Sequence, residues 1–267
     1  MHWKTVSRLI FALTMIAIGL MGIGGGFAPI WAGVPKSLPD RQLLAYGCAF
    51  VALATGAGLL AKRTAAPAAL VLFLYLLLWT IAFKVPFIVR NPLVEVSYQT
   101  CGENAVLIAA AWVLYVWSTE GRTFANVPFL SGARALRLAH ILYGLALLAF
   151  GFSHFAYLNL TAPLVPAWLP GHTFWAYFTG ALYLATGVTL VTGIYARLGA
   201  LLAAVQITLI TVLVWGPMVL AGNISASDWQ ETVVSWALTA GALVLAASFD
   251  AYPWFDRFGR RPVRAES

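Results

Sequence analysis

One stretch of this chain is written twice, 131 residues apart, and that repeat limits the fold more than any other feature. Val34-Pro35 and Leu38-Pro39 return as Val165-Pro166 and Leu169-Pro170. Ala45-Tyr46 returns as Ala176-Tyr177, and Leu53-Ala54-Thr55-Gly56 as Leu184-Ala185-Thr186-Gly187. Thr80, Pro86 and Gln99 come back as Thr211, Pro217 and Gln230. A single ungapped register carries all of these pairs, which chance apolar composition rarely supplies. Further upstream, Gly22 matches Gly151 after a two-residue gap.

The repeated unit belongs in a membrane. Apolar residues make up 61% of the chain and charged residues 9%, against about a quarter charged in soluble domains. Eight apolar runs approach the roughly 20 residues that cross a bilayer as helix. In the first copy they cover residues 9–27, 42–61, 66–88 and 102–117; in the second, 138–158, 173–193, 198–221 and 230–249. They are continuous and lack strand-like alternation, so helices are expected rather than barrel strands. The predicted fold is an all-α integral membrane protein with eight transmembrane helices in two parallel four-helix modules. The modules cover residues 1–117 and 135–249, joined by a cytoplasmic linker at 118–134 and followed by a basic cytoplasmic tail at 250–267.

The net charge of +7 reflects topology rather than nucleic-acid binding, because the charges sit between the apolar runs. One side of an eight-span arrangement holds Lys4, Arg8, Lys62, Arg63, Arg122, Arg134, Arg137, Arg197, Arg257, Arg260, Arg261 and Arg264. The other holds only Lys36, Arg41, Lys84 and Arg90. The positive-inside rule then puts both termini in the cytoplasm, in an inner or plasma membrane. Lys4 and Arg8 before an apolar run resemble a signal peptide. The run nonetheless fills the place of 138–158 in the second copy, so it is expected to be retained as a span.

Polar groups within spans usually mark function in a membrane protein. His154, in Gly151-Phe152-Ser153-His154-Phe155, can hydrogen-bond a quinone carbonyl, ligate a metal or carry a proton. The alternative is an imidazole bonded to a helix carbonyl. His172 follows the Trp168-Leu169-Pro170 turn, and two histidines without a third ligand do not make a metal site. Gln206, near the middle of the seventh span, either lines a pocket or makes an interhelical hydrogen bond. Trp31 and Trp168 beside the repeated proline loops suit an aromatic belt or the roof of a ligand site. Arg90, Glu95, Gln99 and Glu103, with Asp228, Gln230 and Glu231 in the second copy, read as solvated interface charges. Cys48 and Cys101 both fall near one end of the first copy, where packing allows either a disulfide or two separate thiols. No Walker loop, dinucleotide fingerprint, His-Glu-x-x-His or nucleophile elbow occurs.

His154-Phe155, Pro163, Pro166, Trp168-Leu169-Pro170, Gly180 and Gly187 together resemble the DoxX-like family of small four-span membrane modules. The resemblance covers residues 137–248 and, through the repeat, more faintly 8–117. Members include a subunit of thiosulfate:quinone oxidoreductase, so the resemblance implies membrane redox metabolism, with a quinone as ligand and a redox or other membrane protein as partner. Many members carry a Glu three residues after the first glycine of the second span; here that residue is Tyr183, and in the first copy Ala52. Any chemistry resting on that acid would be lost.

The functional expectation is an accessory that binds a quinone-like molecule beside His154, with Trp168, His172, Tyr177, Tyr183 and Gln206 as walls or polar contacts. Two alternatives stand beside it: a permease or channel for a small neutral or lipophilic solute, and a non-catalytic scaffold for other membrane proteins.

Overall fold

The structure is a computed structural model that describes residues 2–25, 34–35, 37–120, 129–222, 224–250, 252 and 254. Expectations for Trp31, Lys36, the linker at 121–128 and the tail from 255 lie outside the described residues. Eight helices are long and apolar enough to cross a membrane. The chain is an all-α integral membrane protein.

The helices are α1 (His2–Gly25), α2 (Arg41–Leu60), α3 (Ala65–Arg90), α4 (Glu95–Thr119), α5 (Gly132–Ala156), α6 (His172–Thr192), α7 (Ala196–Ala221) and α8 (Ala226–Ala247). Helix starts at Arg41, Ala65 and Glu95 return at His172, Ala196 and Ala226, which preserves the register of the sequence repeat. The connection before α2 turns through Asp40 at φ 49°, and that before α6 through Gly171 at φ 75°. Both equivalent positions therefore need the left-handed region, which glycine enters freely and aspartate tolerates. Each proline loop is tied to the helix that follows it. Arg41 donates to the Pro35 carbonyl at 3.0 Å, and the Trp175 indole to the Pro170 carbonyl at 3.1 Å.

Neighbours in sequence are neighbours in space, from α1 through to α8, and α8 closes the ring by packing on α1. Helices α4 and α8 also meet each other across the middle. The first helix of each repeat thus lies against the last helix of the other, α1 on α8 and α5 on α4. A single continuous hydrophobic core draws on both copies. Helix α4 is its axis: 78% of its spanning window is buried, the highest share among the eight.

That central position explains why α4 begins seven residues before the expected span at 102. Hydropathy excludes the segment 95–101, yet Ser97 and Thr100 within it are buried. Ser97 is fully buried and donates to the carbonyls of Val94 (2.6 Å) and Asn91 (2.9 Å). In a bundle core, a polar group so satisfied costs little.

Helices α1 and α2 meet through glycine, as do α5 and α6. A Cβ on Gly56 would stand 2.8 Å from the Ala12 carbonyl oxygen, and one on Gly187 would stand 2.9 Å from that of Gly144. With no hydrophobic drive between helices in lipid, such close backbone approach supplies the packing energy.

Both α3 and α7 widen into one π turn, at Thr80–Lys84 and Thr211–Trp215. Pro86 and Pro217 follow each turn by two residues. Proline cannot donate to the carbonyl four residues back and its ring crowds that carbonyl, so the helix relaxes ahead of it.

Candidate functional site

Two polar centres lie in the half of the bundle away from the termini. The first is built on the α5–α6 contact. Gly180 of α6 lets His154 of α5 sit flat against it, since a Cβ there would be 2.7 Å from the His154 Cβ. The half-buried imidazole makes a 2.9 Å hydrogen bond between its Nδ1 and the carbonyl of Phe150, one turn back on its own helix. A carbonyl can only accept, so Nδ1 carries the proton, and Nε2 of the neutral ring is left as an acceptor. The ring packs on Tyr183, centroids 5.6 Å apart, and Phe150 meets the same tyrosine edge-on at 5.8 Å.

Gln206 of α7 joins from the other side. Its Nε2 donates to the Thr179 carbonyl at 2.9 Å, the interhelical bond allowed by the sequence, and its buried Oε1 has no hydrogen-bond partner among the described residues. Tyr143 was not anticipated. It lies on α5, fully buried, within electrostatic range of Tyr183, and its hydroxyl also lacks a hydrogen-bond partner among the described residues. Its helical spacing with Leu147, Phe150 and His154 was the signal available in the sequence.

The remaining expected wall residues do not gather here. Trp168 is 65% exposed in its turn, and Tyr177 faces outward with Phe155 at 5.4 Å. His172 opens α6, half-buried. The structure therefore brings His154 and Tyr183 together with Tyr143 nearby, ties Gln206 to α6 at Thr179, and leaves Trp168, His172 and Tyr177 at the periphery.

The second centre was misread in the sequence. Lys84, expected near an outer boundary, closes the first π turn and is only 1% exposed. Six residues separate it from the end of α3 at Arg90, about 9 Å along a helix. Glu103 of α4 lies within electrostatic range of Lys84, of Glu95 on its own helix and of Glu231 on α8. Gln99 donates to Glu103 at 3.2 Å, and Ser153 of α5 lies beside Glu95. These carboxylates come from both repeats and converge where the repeats interlock. The sequence placed Lys84 near the outer end of the third span; the structure keeps it six residues from that end and buries it in the bundle at the π turn. The corresponding position in the second copy is Trp215, also buried.

Both π turns are braced by equivalent hydroxyls. Asn104 donates to Thr80 Oγ1 at 3.2 Å; in the second copy Ser235 takes the place of Asn104 and meets Thr211 Oγ1 at 2.7 Å, with Thr239 at 2.8 Å.

Cys48 and Cys101 are not bridged to each other in the structure, so the disulfide allowed by the sequence is not formed there. Cys48 is buried on α2 beside Tyr75, while Cys101 on α4 neighbours Lys84. Among the described residues no cluster of His, Cys, Asp or Glu could hold a metal ion. No protein-family model matches this chain, and neither a curated protein nor a solved structure matches it.

Proposed function

We propose that this integral membrane protein binds a lipophilic hydroxy-aromatic molecule of the quinol type beside His154, as an accessory of membrane redox metabolism. One observation carries the reading. The hydrogen bond from His154 to the Phe150 carbonyl leaves Nε2 as an acceptor against the Tyr183 ring. A neutral imidazole held this way accepts a hydrogen bond from a hydroxyl and donates none to a carbonyl, so the reduced form is the better ligand. Tyr183 and Tyr143 supply aromatic surface and phenol donors in the same half of the bundle. The DoxX-like resemblance of residues 137–248 supports the ligand class. Within this reading both termini face the cytoplasm of an inner or plasma membrane, on the strength of the Lys and Arg distribution.

The test is anaerobic titration of the protein in nanodiscs with a short-chain ubiquinol and its quinone, followed by intrinsic fluorescence quenching. The quinol should bind more tightly than the quinone, and His154→Ala should weaken it by about tenfold, as loss of one buried hydrogen bond implies. Equal affinity of wild type and His154→Ala would remove the proposal.

A second reading, passage of a proton or small solute between the repeats, is favoured by the burial of Lys84 among carboxylates from both copies. Ionisable groups inside a bundle mark such paths, and repeat interfaces hold them in transporters. Proteoliposomes loaded with a pH-sensitive dye would show flux lost in Lys84→Met if this reading holds; identical traces with and without protein would sink it.

A further inference from the structure

The end of the bundle that carries the termini holds a cleft of about 240 Å³, and it belongs to neither polar centre. Lys4 and Arg8 of α1 line it, together with Lys62 from the α2–α3 turn and Trp117, Ser118 and Glu120 at the end of α4. Three cations face one exposed carboxylate, so the cleft carries an excess of positive charge at the depth of the headgroups. Lys4 Nζ stands over the Trp117 ring, 5.1 Å from its centroid.

The second repeat shows what the same architecture looks like when it is closed. Arg137 is the counterpart of Arg8 in the upstream register, and both its terminal nitrogens are spent on the end of α6, at 2.7 Å from the Leu190 carbonyl and 2.6 Å from that of Val191. Phe249 replaces Ser118 and is fully buried, stacked on His140 at 4.0 Å. Ser248 replaces Trp117 and bonds His140 at 2.6 Å. Gly193 and Ala133 stand where the first copy has Lys62 and Lys4. In the first copy none of this closure occurs. Arg8 makes no hydrogen bond or ion pair among the described residues, and its Nε is shielded from solvent.

A guanidinium with unspent donors, flanked by two ammonium groups beside an interfacial tryptophan, matches one chemistry. We propose that this cleft binds a phosphate group, carried either by an anionic phospholipid headgroup or by a soluble phosphate. Planar guanidinium donors suit phosphate oxygens, the lysines add charge, and basic pockets between spanning helices take anionic headgroups. The site is independent of the His154 centre, which lies toward the opposite end of α5.

Native mass spectrometry and thermal unfolding of the full chain would test this. Nanodiscs of phosphatidylcholine alone, of phosphatidylcholine with phosphatidylglycerol, and of phosphatidylcholine with added inorganic phosphate separate the two sources. One retained phosphatidylglycerol per chain, with a raised midpoint only in the second nanodisc, assigns the lipid; a rise with inorganic phosphate alone assigns a soluble phosphate. Arg8→Gln should weaken either effect by roughly fivefold, and the Lys4→Gln/Lys62→Gln pair by more. Arg63→Gln, which removes an exposed charge outside the cleft, should leave it unchanged. If Arg8→Gln does not fold, the lysine pair on the rim carries the comparison. Equal retention and equal midpoints in wild type and the folded cleft variants, or the same loss in Arg63→Gln, overturns the assignment.

Discussion

The indole nitrogen of Trp236, on the last helix, donates to the hydroxyl of Thr14, on the first, at 3.1 Å. This bond joins the two repeats across 222 residues of chain, and Thr14 itself donates back to the Ile10 carbonyl at 2.8 Å. Trp236→Phe keeps most of the ring and loses the donor. It should cost about 0.6–1 kcal/mol, the usual worth of an interhelical hydrogen bond in a membrane protein. A double-mutant cycle with Thr14→Ala, read by unfolding in mixed micelles, should recover that value as coupling. Zero coupling would mean that packing alone holds α1 to α8.

The glycine pairs between α5 and α6 make the next prediction. Gly187→Leu has no room, with the Gly144 carbonyl and Leu148 each within 2.9 Å of a modest Cβ. Overpacking of this kind costs about 1–3 kcal/mol and should lower the thermal midpoint of the detergent-solubilised protein. Gly47→Ala on α2 meets nothing within 4 Å and should be neutral, or stabilising by up to about 1 kcal/mol through helix propensity. Matching shifts for both variants would contradict the packing described here.

Lys84 and its carboxylates should behave as one unit. Lys84→Met removes the cation and leaves Glu103, Glu95 and Glu231 within electrostatic range of one another, which should lower stability by about 1 kcal/mol or more. Adding Glu103→Gln should restore part of the loss, so the double variant is more stable than Lys84→Met alone. Simple additivity in an unfolding series would show that the groups do not interact.

The π turn of α7 rests on a hydroxyl cluster that Thr211→Val dismantles. Thr211 Oγ1 meets the hydroxyls of Ser235 and Thr239 and the Ile207 carbonyl, all buried. Valine conserves the shape, so the loss should be the hydrogen bonds themselves, about 1–2 kcal/mol. Thr208→Val is the control, because among the described residues the Thr208 hydroxyl bonds only the Ala204 carbonyl of its own helix. Equal destabilisation by the two changes would argue that the cluster contributes nothing beyond the local turn.

Thiol chemistry checks the free cysteines directly. Protein purified without reductant and unfolded in detergent should titrate two thiols per chain and show no mobility shift on reduction. A single reversible oxidised species with no titratable thiol would restore the bridge.

The eight spans were legible because length and apolarity in a bilayer leave little choice, and the repeat fixed their equivalence before any coordinates. The interlocking was not legible: α1 on α8 and α5 on α4 depend on which faces meet, and a uniformly apolar helix advertises no face. The burial of Lys84 was not legible for a related reason. Counting from the end of a regular helix puts it at the boundary, whereas one extra residue per turn at Thr80–Lys84 swings it inward. His154 stood out because it is an imidazole in an apolar run, away from the basic residues at the start of α5. Tyr143 did not, because an aromatic on a helix face looks the same whether it packs or waits for a ligand.

The pairing of α1 with α8 also sets an order of events during synthesis. Helix α1 is made before the other seven, yet the helix carrying Trp236 is made after them. Until then Thr14 and its neighbours must rest against lipid, while α5 finds α4 already waiting. The two halves of the chain, made as separate polypeptides cut between α4 and α5, would each present the surface the other needs, so the protein should be reconstitutable from its own fragments.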